Sequence, residues 1–357
     1  MGPNGPGSNR EMLVAFRAVL AGCGSMARGW VKALRDEPDL IGRVELVGLV
    51  DLDLRAAKML RDEFDLTDVV LGNGLAEVVT AAQPDLLFDV VIPAARQEVV
   101  VTGLKLGCHV LSEKPMAMSM SDARDLVRLS AQTGKIHAIM QNRRFNPGVR
   151  RIRRLIESGA LGTLTGVHAD FFIGAHFGGF REQMRDVLLI DMAIHTLDAA
   201  RFMSGTAPLA VYCHENNPAG SWNAHGAAAN AIFEMSDGVT FTYRGSWVAE
   251  GAPTSWDSAW RFIGTKGTLL WDGADRFEAQ VLAGADGLLR PLAPLAVPEP
   301  RDVGQTRGHA SVIADFLSAL DNKRLPETVA SDNIKSLAMV FGAIESARAG
   351  ARVEITI

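Results

Sequence analysis

The sequence predicts an α/β N-terminal Rossmann domain, a parallel doubly wound sheet, followed by an α+β C-terminal domain with a large, mostly antiparallel open-faced sheet. Three observations predict it. Up to about residue 140, short apolar runs alternate with longer amphipathic ones, as parallel strands and their crossover helices do. Beyond that point, several segments alternate apolar with polar residues, the pattern of a sheet with one buried face. Directly after the first apolar run stands the turn Gly22-Cys23-Gly24-Ser25-Met26-Ala27.

Each element follows from the local pattern. Strands are expected at 16–21, 44–50, 68–71, 86–92, 108–111 and 136–140, nearly all apolar because both sheet faces are covered. Helices are expected between them at 26–35, 54–64, 75–82, 96–106 and 119–132. Ser119, with Asp122 three residues on, reads as a helix start. A helix at 147–158 is punctuated by Gly159 and Gly162. Strands then follow at 163–172, 209–214, 227–235, 239–247, 259–263 and 268–271. Ser236-Asp237-Gly238 and Thr265-Lys266-Gly267 supply hairpin turns. Helices return at 191–203, 309–322 and 333–349, and residues 274–301, rich in Pro, Gly and Ala, read as a variable loop region.

A chain of 357 residues suits two domains. We place them at 13–140 and 141–357, with the helices of about 309–349 able to pack back on the first, and 1–12 as a flexible arm. The hydrophobic content is 48%, the charged content 22% and the net charge −5, an ordinary globular balance with no global basic field. No nucleic acid and no membrane partner is therefore expected. Residues 12–22 are apolar but too short for a span and lack a cleavage pattern, so a cytoplasmic location is expected. Cys23, Cys108 and Cys213 are scattered without metal-ligand or redox spacing; reduced thiols and no metal are expected. The cluster Arg143, Arg144, Arg150, Arg151, Arg153 and Arg154 suits a solvated helix face.

The glycine turn carries the first chemistry. Strand, GxGxxA and helix form a dinucleotide fingerprint. Gly22 permits the tight turn, Gly24 lets the backbone approach a pyrophosphate, and Ala27 lets helix and strand pack closely. Ser25 and Met26 open the helix whose N-terminus would hold the phosphates. Asp51 ends the second strand, somewhat beyond the usual offset of about 20 residues, where an acid accepts from the ribose hydroxyls. A carboxylate there repels a 2′-phosphate, so NAD is expected over NADP.

Two further segments stand out. Glu113-Lys114-Pro115 lies at the carboxyl end of the fifth strand, the ligand edge of such a sheet. A lysine there is either poised over the nicotinamide or simply solvated. Asp191, His195 and Asp198 recur at i, i+4 and i+7, one helical stripe. They read as a proton relay, or as an N-cap and a core histidine. Trp222, Trp247, Trp256 and Trp260 suit either a sugar-stacking pocket or ordinary packing; His176, Arg181 and Arg185 suit either an acidic ligand group or the surface.

In this order, these segments resemble the glucose–fructose oxidoreductase/inositol dehydrogenase/MocA family. Its pattern is a GxGxxG-type loop, Glu-Lys-Pro after strand five, and an Asp-x-Gly-x-His-x-x-Asp helix. Asn142-Arg143-Arg144-Phe145-Asn146-Pro147 and the tail from Ser336 to about Val353 also look like it. The resemblance covers nearly the whole chain from about Phe16. It implies NAD-dependent hydride transfer at a hydroxyl of a sugar, inositol or related polyol. Lys114 would orient the substrate hydroxyl, His195 would be the general acid/base, and Asp191 would share substrate binding and proton handling. Ile92, Pro93, Glu113 and Lys114 would line the cofactor; Asn142, Arg143, Asp198 and His176 would be substrate contacts. Two departures stand: Ala193 replaces the usual Gly, and Ile92-Pro93 is followed by Arg96 and Gln97 where the family has a His. A homodimer or homotetramer through the C-terminal sheet is expected. A redox-neutral glycosidase-type enzyme using tightly held NAD, and a non-catalytic dinucleotide-binding regulator, remain as alternatives.

Overall fold

The computed structural model describes residues 15–301 and 308–357, so the arm expected at 1–12 lies outside the described residues. The first half runs β1 (Phe16–Ala21), α1 (Ser25–Asp36), β2 (Val44–Val50), α2 (Leu54–Glu63), β3 (Val70–Gly72), α3 (Leu75–Ala82), β4 (Leu86–Asp89), α4 (Pro93–Lys105), β5 (His109–Ser112), α5 (Met120–Thr133) and β6 (His137–Ile139). The six strands are all parallel, in the order β3-β2-β1-β4-β5-β6. That is the Rossmann order.

Because side chains alternate across a strand, β1 divides its residues between two cores. Ala18 and Leu20 meet Trp30 of α1 and Leu60 of α2, whereas Val19 and Ala21 meet Val78, Val100 and Leu126 of α3, α4 and α5. The strand expected at 86–92 ends at Asp89, because Pro93 opens α4 at its first position.

The second half runs α6 (Pro147–Glu157), β7 (Leu164–Phe172), α7 (Phe180–Gln183), α8 (Ile194–Ser204), β8 (Pro208–Asn216), β9 (Ala228–Met235), β10 (Thr240–Ser246), β11 (Ala259–Gly264), β12 (Gly267–Trp271), β13 (Phe277–Leu282), β14 (Leu292–Pro294), α9 (Gly308–Asp321), α10 (Ala330–Ala349) and β15 (Val353–Glu354). Nine strands form one sheet in the order β14-β13-β12-β11-β7-β10-β9-β8-β15. All pairs are antiparallel except β7 with β10. The expected loop region 274–301 is corrected here, since it supplies β13 and β14. Phe277 stacks on Trp271 at 5.6 Å and carries the chain back along the sheet edge. Its flanking Gly, Ala and Pro obscure that signal in the sequence.

Helices α8 and α10 cover the inner sheet face, and α9 returns to the first sheet. Ile313, Phe316 and Leu317 of α9 are fully buried with Trp30 and Phe88. At about 1.5–3 kcal/mol for each such side chain, this contact fastens the C-terminal helices to the nucleotide-binding half. Among the described residues, no helix is long and apolar enough to cross a membrane.

Candidate active site

The carboxyl ends of β1, β2, β4, β5 and β6 gather the candidate residues at one sheet edge. At the end of β1 the chain turns through Gly22 with φ +91°, and a Cβ there would meet the Val90 backbone at 2.6 Å. Only glycine fits. A Cβ on Gly24 would meet nothing within 4 Å, so the outward side of the loop is open. Gly24, Ser25 and Met26 are exposed at the uncapped start of α1. The free N–H groups of that first turn suit a pyrophosphate. Asp51 braces the loop by accepting from Cys23 N at 2.8 Å and from Asp53 N at 2.9 Å. Each carboxylate oxygen retains a lone pair for a ribose hydroxyl. Burial, then the Asp51 charge, pushes the Cys23 thiol up to about 12, so it stays protonated. The residues present therefore fit a dinucleotide.

Above β5, Glu113 is buried and accepts from Trp30 Nε1 at 2.8 Å, with His309 Nε2 at 3.2 Å. Burial opposes its ionisation, but His309, Trp30 and Lys114 outweigh it and hold the carboxyl below the usual range. Lys114 Nζ donates to the Asp191 carbonyl at 2.5 Å and to its carboxylate at 3.0 Å. Arg181 of α7 donates to the other Asp191 oxygen at 2.9 Å. Burial likewise opposes ionisation of Asp191, and the two cations overcome it. His195 is partly accessible, with Nδ1 lying 3.4 Å from the Gln141 amide nitrogen. Burial first, then the positive charges of Lys114, Arg143 and His309, holds its imidazole well below the ordinary value. It is therefore neutral near pH 7.

The helix bearing Asp191 and His195 differs from expectation. Residues Leu188–Ala193 form π-helical turns before α8 begins. Asp191 therefore lies on wider turns, while His195 and Asp198 lie on regular α-helix. Asp191 and His195 keep to the cleft, but Asp198 is fully buried and turned away. Its oxygens accept from Arg144 at 2.7 and 2.6 Å and from Ser336 at 2.6 Å. The substrate contact expected of Asp198 is thus corrected to a buried ion pair. So is the solvated face expected of Arg144, which is 5% exposed and also bonds Asp332.

His176 is exposed, bonded to Glu250 at 2.8 Å and stacked on Trp222 at 3.7 Å. Arg143 pairs with Asp257, which also accepts from Asn146 at 2.8 Å. Asn142 starts a 3-10 turn beside it, its Oδ1 buried and without a partner among the described residues. Pro93 starts α4 and Ile92 is 65% exposed at the sheet edge. Trp247 and Trp260 are packed in the sheet, whereas Trp256 is 46% exposed beside Phe177.

Arg96, standing where the resembled pattern has a histidine, is 1% exposed. It donates to Asp89 at 2.8 Å, to Pro115 O at 2.7 Å and to Val91 O at 2.7 Å. It thus ties the end of β4 to the peptide that follows Lys114. Sequence reasoning assigned nothing to Gln141, His309 or Trp30. Gln141 could have been found from its place after β6, at the ligand edge; the other two come from distant elements and leave no local signal.

A nucleotide-binding sheet with Lys114 at its ligand edge, met there by Asp191 and His195 from the second half of the chain, defines a dinucleotide oxidoreductase. Two family models match the chain: the oxidoreductase family, NAD-binding Rossmann fold, over residues 16–141, and the GFO/IDH/MocA C-terminal domain over residues 149–270. The chain belongs to the Gfo/Idh/MocA oxidoreductase family, and NAD is its cofactor. It is 26% identical to a D-apiose dehydrogenase of Paraburkholderia graminis, over 95% of this chain and 90% of that protein. It is 25% identical to the uncharacterized protein y4oX of Sinorhizobium fredii, over 96% of each. An oxidoreductase from Agrobacterium radiobacter, solved in complex with NAD+, L-tartaric acid and magnesium, superposes with a TM-score of 0.82 at 20% identity, covering 95% of this chain and 98% of that one.

Proposed function

We propose that this protein catalyses reversible hydride transfer between NAD and a hydroxyl-bearing carbon of a sugar or polyol, with Lys114, Asp191 and His195 handling the proton. The observation that carries this reading is the Lys114–Asp191 contact, with neutral His195 beside it, at the ligand edge of the nucleotide-binding sheet. Bound NAD supplies the hydride acceptor, which no side chain provides. His195 then takes the hydroxyl proton during oxidation and returns it during reduction. Its depressed pKa keeps the base form available. Lys114 lies where it stabilises developing alkoxide charge. Asp191, held by Lys114 and Arg181, fixes the ammonium in place.

Gln141 sets the tautomer of His195. With its amide nitrogen toward the ring, Nδ1 accepts and Nε2 carries the proton; turned over, Oε1 accepts from Nδ1–H and Nε2 is the base. Oxidation uses the second arrangement: Nε2 takes the hydroxyl proton to give the imidazolium, with Nδ1–H held by Oε1, and the imidazolium returns that proton on reduction.

Asp51 favours NAD over NADP, since a 2′-phosphate would meet its carboxylate. A sugar substrate is supported by the D-apiose dehydrogenase relative and by exposed Trp256 and Phe177 rings beside the cleft. The outer sheet face carries exposed Leu209, Tyr212 and Ile232, which supports a homodimer or homotetramer through that face. The test is the absorbance of reduced nicotinamide when purified protein is mixed with NAD and a panel of sugars and polyols. Net reduction of NAD by at least one is expected; none across the panel, with NAD bound, overturns the reading.

A further inference from the structure

Away from the cleft, a solvent-open cavity of about 600 Å³ lies between α6, the end of α8 and the start of α10. Seven cationic side chains line it against three carboxylates, in a chain whose net charge is −5. The carboxylates are already engaged: Glu157 by Arg153 at 2.6 Å, Glu327 by Arg150 at 3.0 Å, and Asp332 by Arg144 at 2.6 Å and Arg201 at 2.9 Å. Arg154 and Arg301 have no carboxylate partner among the described residues, and Lys335 stands 3.6 Å from the shared Asp332. The Nε atoms of Arg154 and Arg201 are buried without an acceptor. With Asp198 behind Arg144 counted as a fourth carboxylate, three positive charges are left in excess.

We propose that this cavity binds a small phosphate-bearing molecule. Three features select phosphate. Guanidinium forks match its oxygens in paired hydrogen bonds. An excess of three charges matches a polyanion better than a single carboxylate. The volume falls within the usual range of about 300–1,000 Å³ for small-molecule sites. Phe202 adds an apolar wall, with the guanidinium carbons of Arg144, Arg150 and Arg153 at 5.6, 4.9 and 5.9 Å from its ring centre. Desolvation, then the neighbouring Arg301, Arg151 and Arg150 charges, lowers the pKa of Arg154, a mark of mutual repulsion that an anion relieves. The site is distinct from the cofactor loop: His195 lies in the first turn of α8, and Arg201 and Phe202 in its last.

The test is calorimetric titration of the full chain, saturated with NAD so that its own phosphate loop is occupied. Pyrophosphate, ribose 5-phosphate and AMP are the probes, at physiological salt. Saturable one-to-one binding of at least one is expected, weakened ten-fold or more in Arg154→Ala/Arg301→Ala with an unchanged melting temperature. Tighter binding of AMP than of pyrophosphate identifies a nucleotide stacked on Phe202; the reverse identifies a bare phosphate site. Absence of saturable binding, or equal binding in the double variant, overturns the proposal. So does a change in oligomeric state of that variant without any phosphate effect, which makes the cavity a contact between copies.

Discussion

Replacing Arg96 with Met tests how Lys114 is held. Arg96 and Asp89 are 1% and 0% exposed, so the substitution leaves a carboxylate buried without its cation. Breaking one side of such a pair costs about 3–5 kcal/mol, a large share of the roughly 5–15 kcal/mol that holds a typical protein folded. The Pro115 and Val91 carbonyls lose their donor as well. The segment after Lys114 then loses its tie to β4, and a displacement of about 1 Å at a reacting group costs up to about 10²-fold in rate. Urea denaturation should show the lost stability, and kcat should fall at temperatures where the variant is folded. Arg96→Lys keeps the charge but not the three-way fork, and should lie between parent and Met. Loss of under 1 kcal/mol, or full kcat in the folded Met variant, would refute the reasoning.

Other perturbations separate chemistry from architecture. Asp198→Asn should cost about 1.5–3 kcal/mol, because Arg144 loses one carboxylate but keeps Asp332, yet leave kcat within about ten-fold; a stable variant without turnover would return Asp198 to the chemistry. Asp51→Asn keeps an acceptor for Cys23 and removes the charge, so calorimetry should show the preference for NAD over NADP narrowing. His137 is fully buried, and burial followed by the Arg96 charge depresses its pKa to about 3. The unfolded chain therefore takes up this proton near pH 6.5 while the folded chain does not. Stability is full above that pH and falls below it, by about 2 kcal/mol at pH 5. His109, depressed to about 4 mainly by burial, acts in the same direction but is partly exposed and adds less. Melting curves at pH 7 and pH 5 should show a smaller loss in His137→Gln than in the parent.

The sequence was informative where the determinants are local. Parallel strands buried on both faces, the glycine turn and the hairpin turns each depend on a few neighbouring residues. Strands β13 and β14, at one end of the sheet, were not legible, since many of their positions face solvent and their flanks resemble loop. Within the site, the motif positions of Lys114, Asp191 and His195 could be read directly. The partners that orient them could not, because Arg96 reaches Pro115, Gln141 reaches His195 and Arg181 reaches Asp191 only after the chain folds. The stripe failed at Asp198 because that residue, three past His195 on regular α-helix and so turned about 60° from it, is claimed by Arg144 and Ser336 from elements distant in sequence.

The central claim is that His195 moves the substrate proton, and the most direct measurement is single-turnover hydride transfer as a function of pH in the parent and in His195→Ala. In the parent, oxidation should be constant near neutrality and fall only as pH drops through the depressed imidazole pKa, below 6.5, where the base becomes protonated. In the variant, NAD affinity and melting temperature should be retained, the rate should drop by about 10²–10⁴-fold, and that acid limb should disappear. A folded, NAD-binding His195→Ala protein that turns over at the parental rate with the same acid limb would contradict the account.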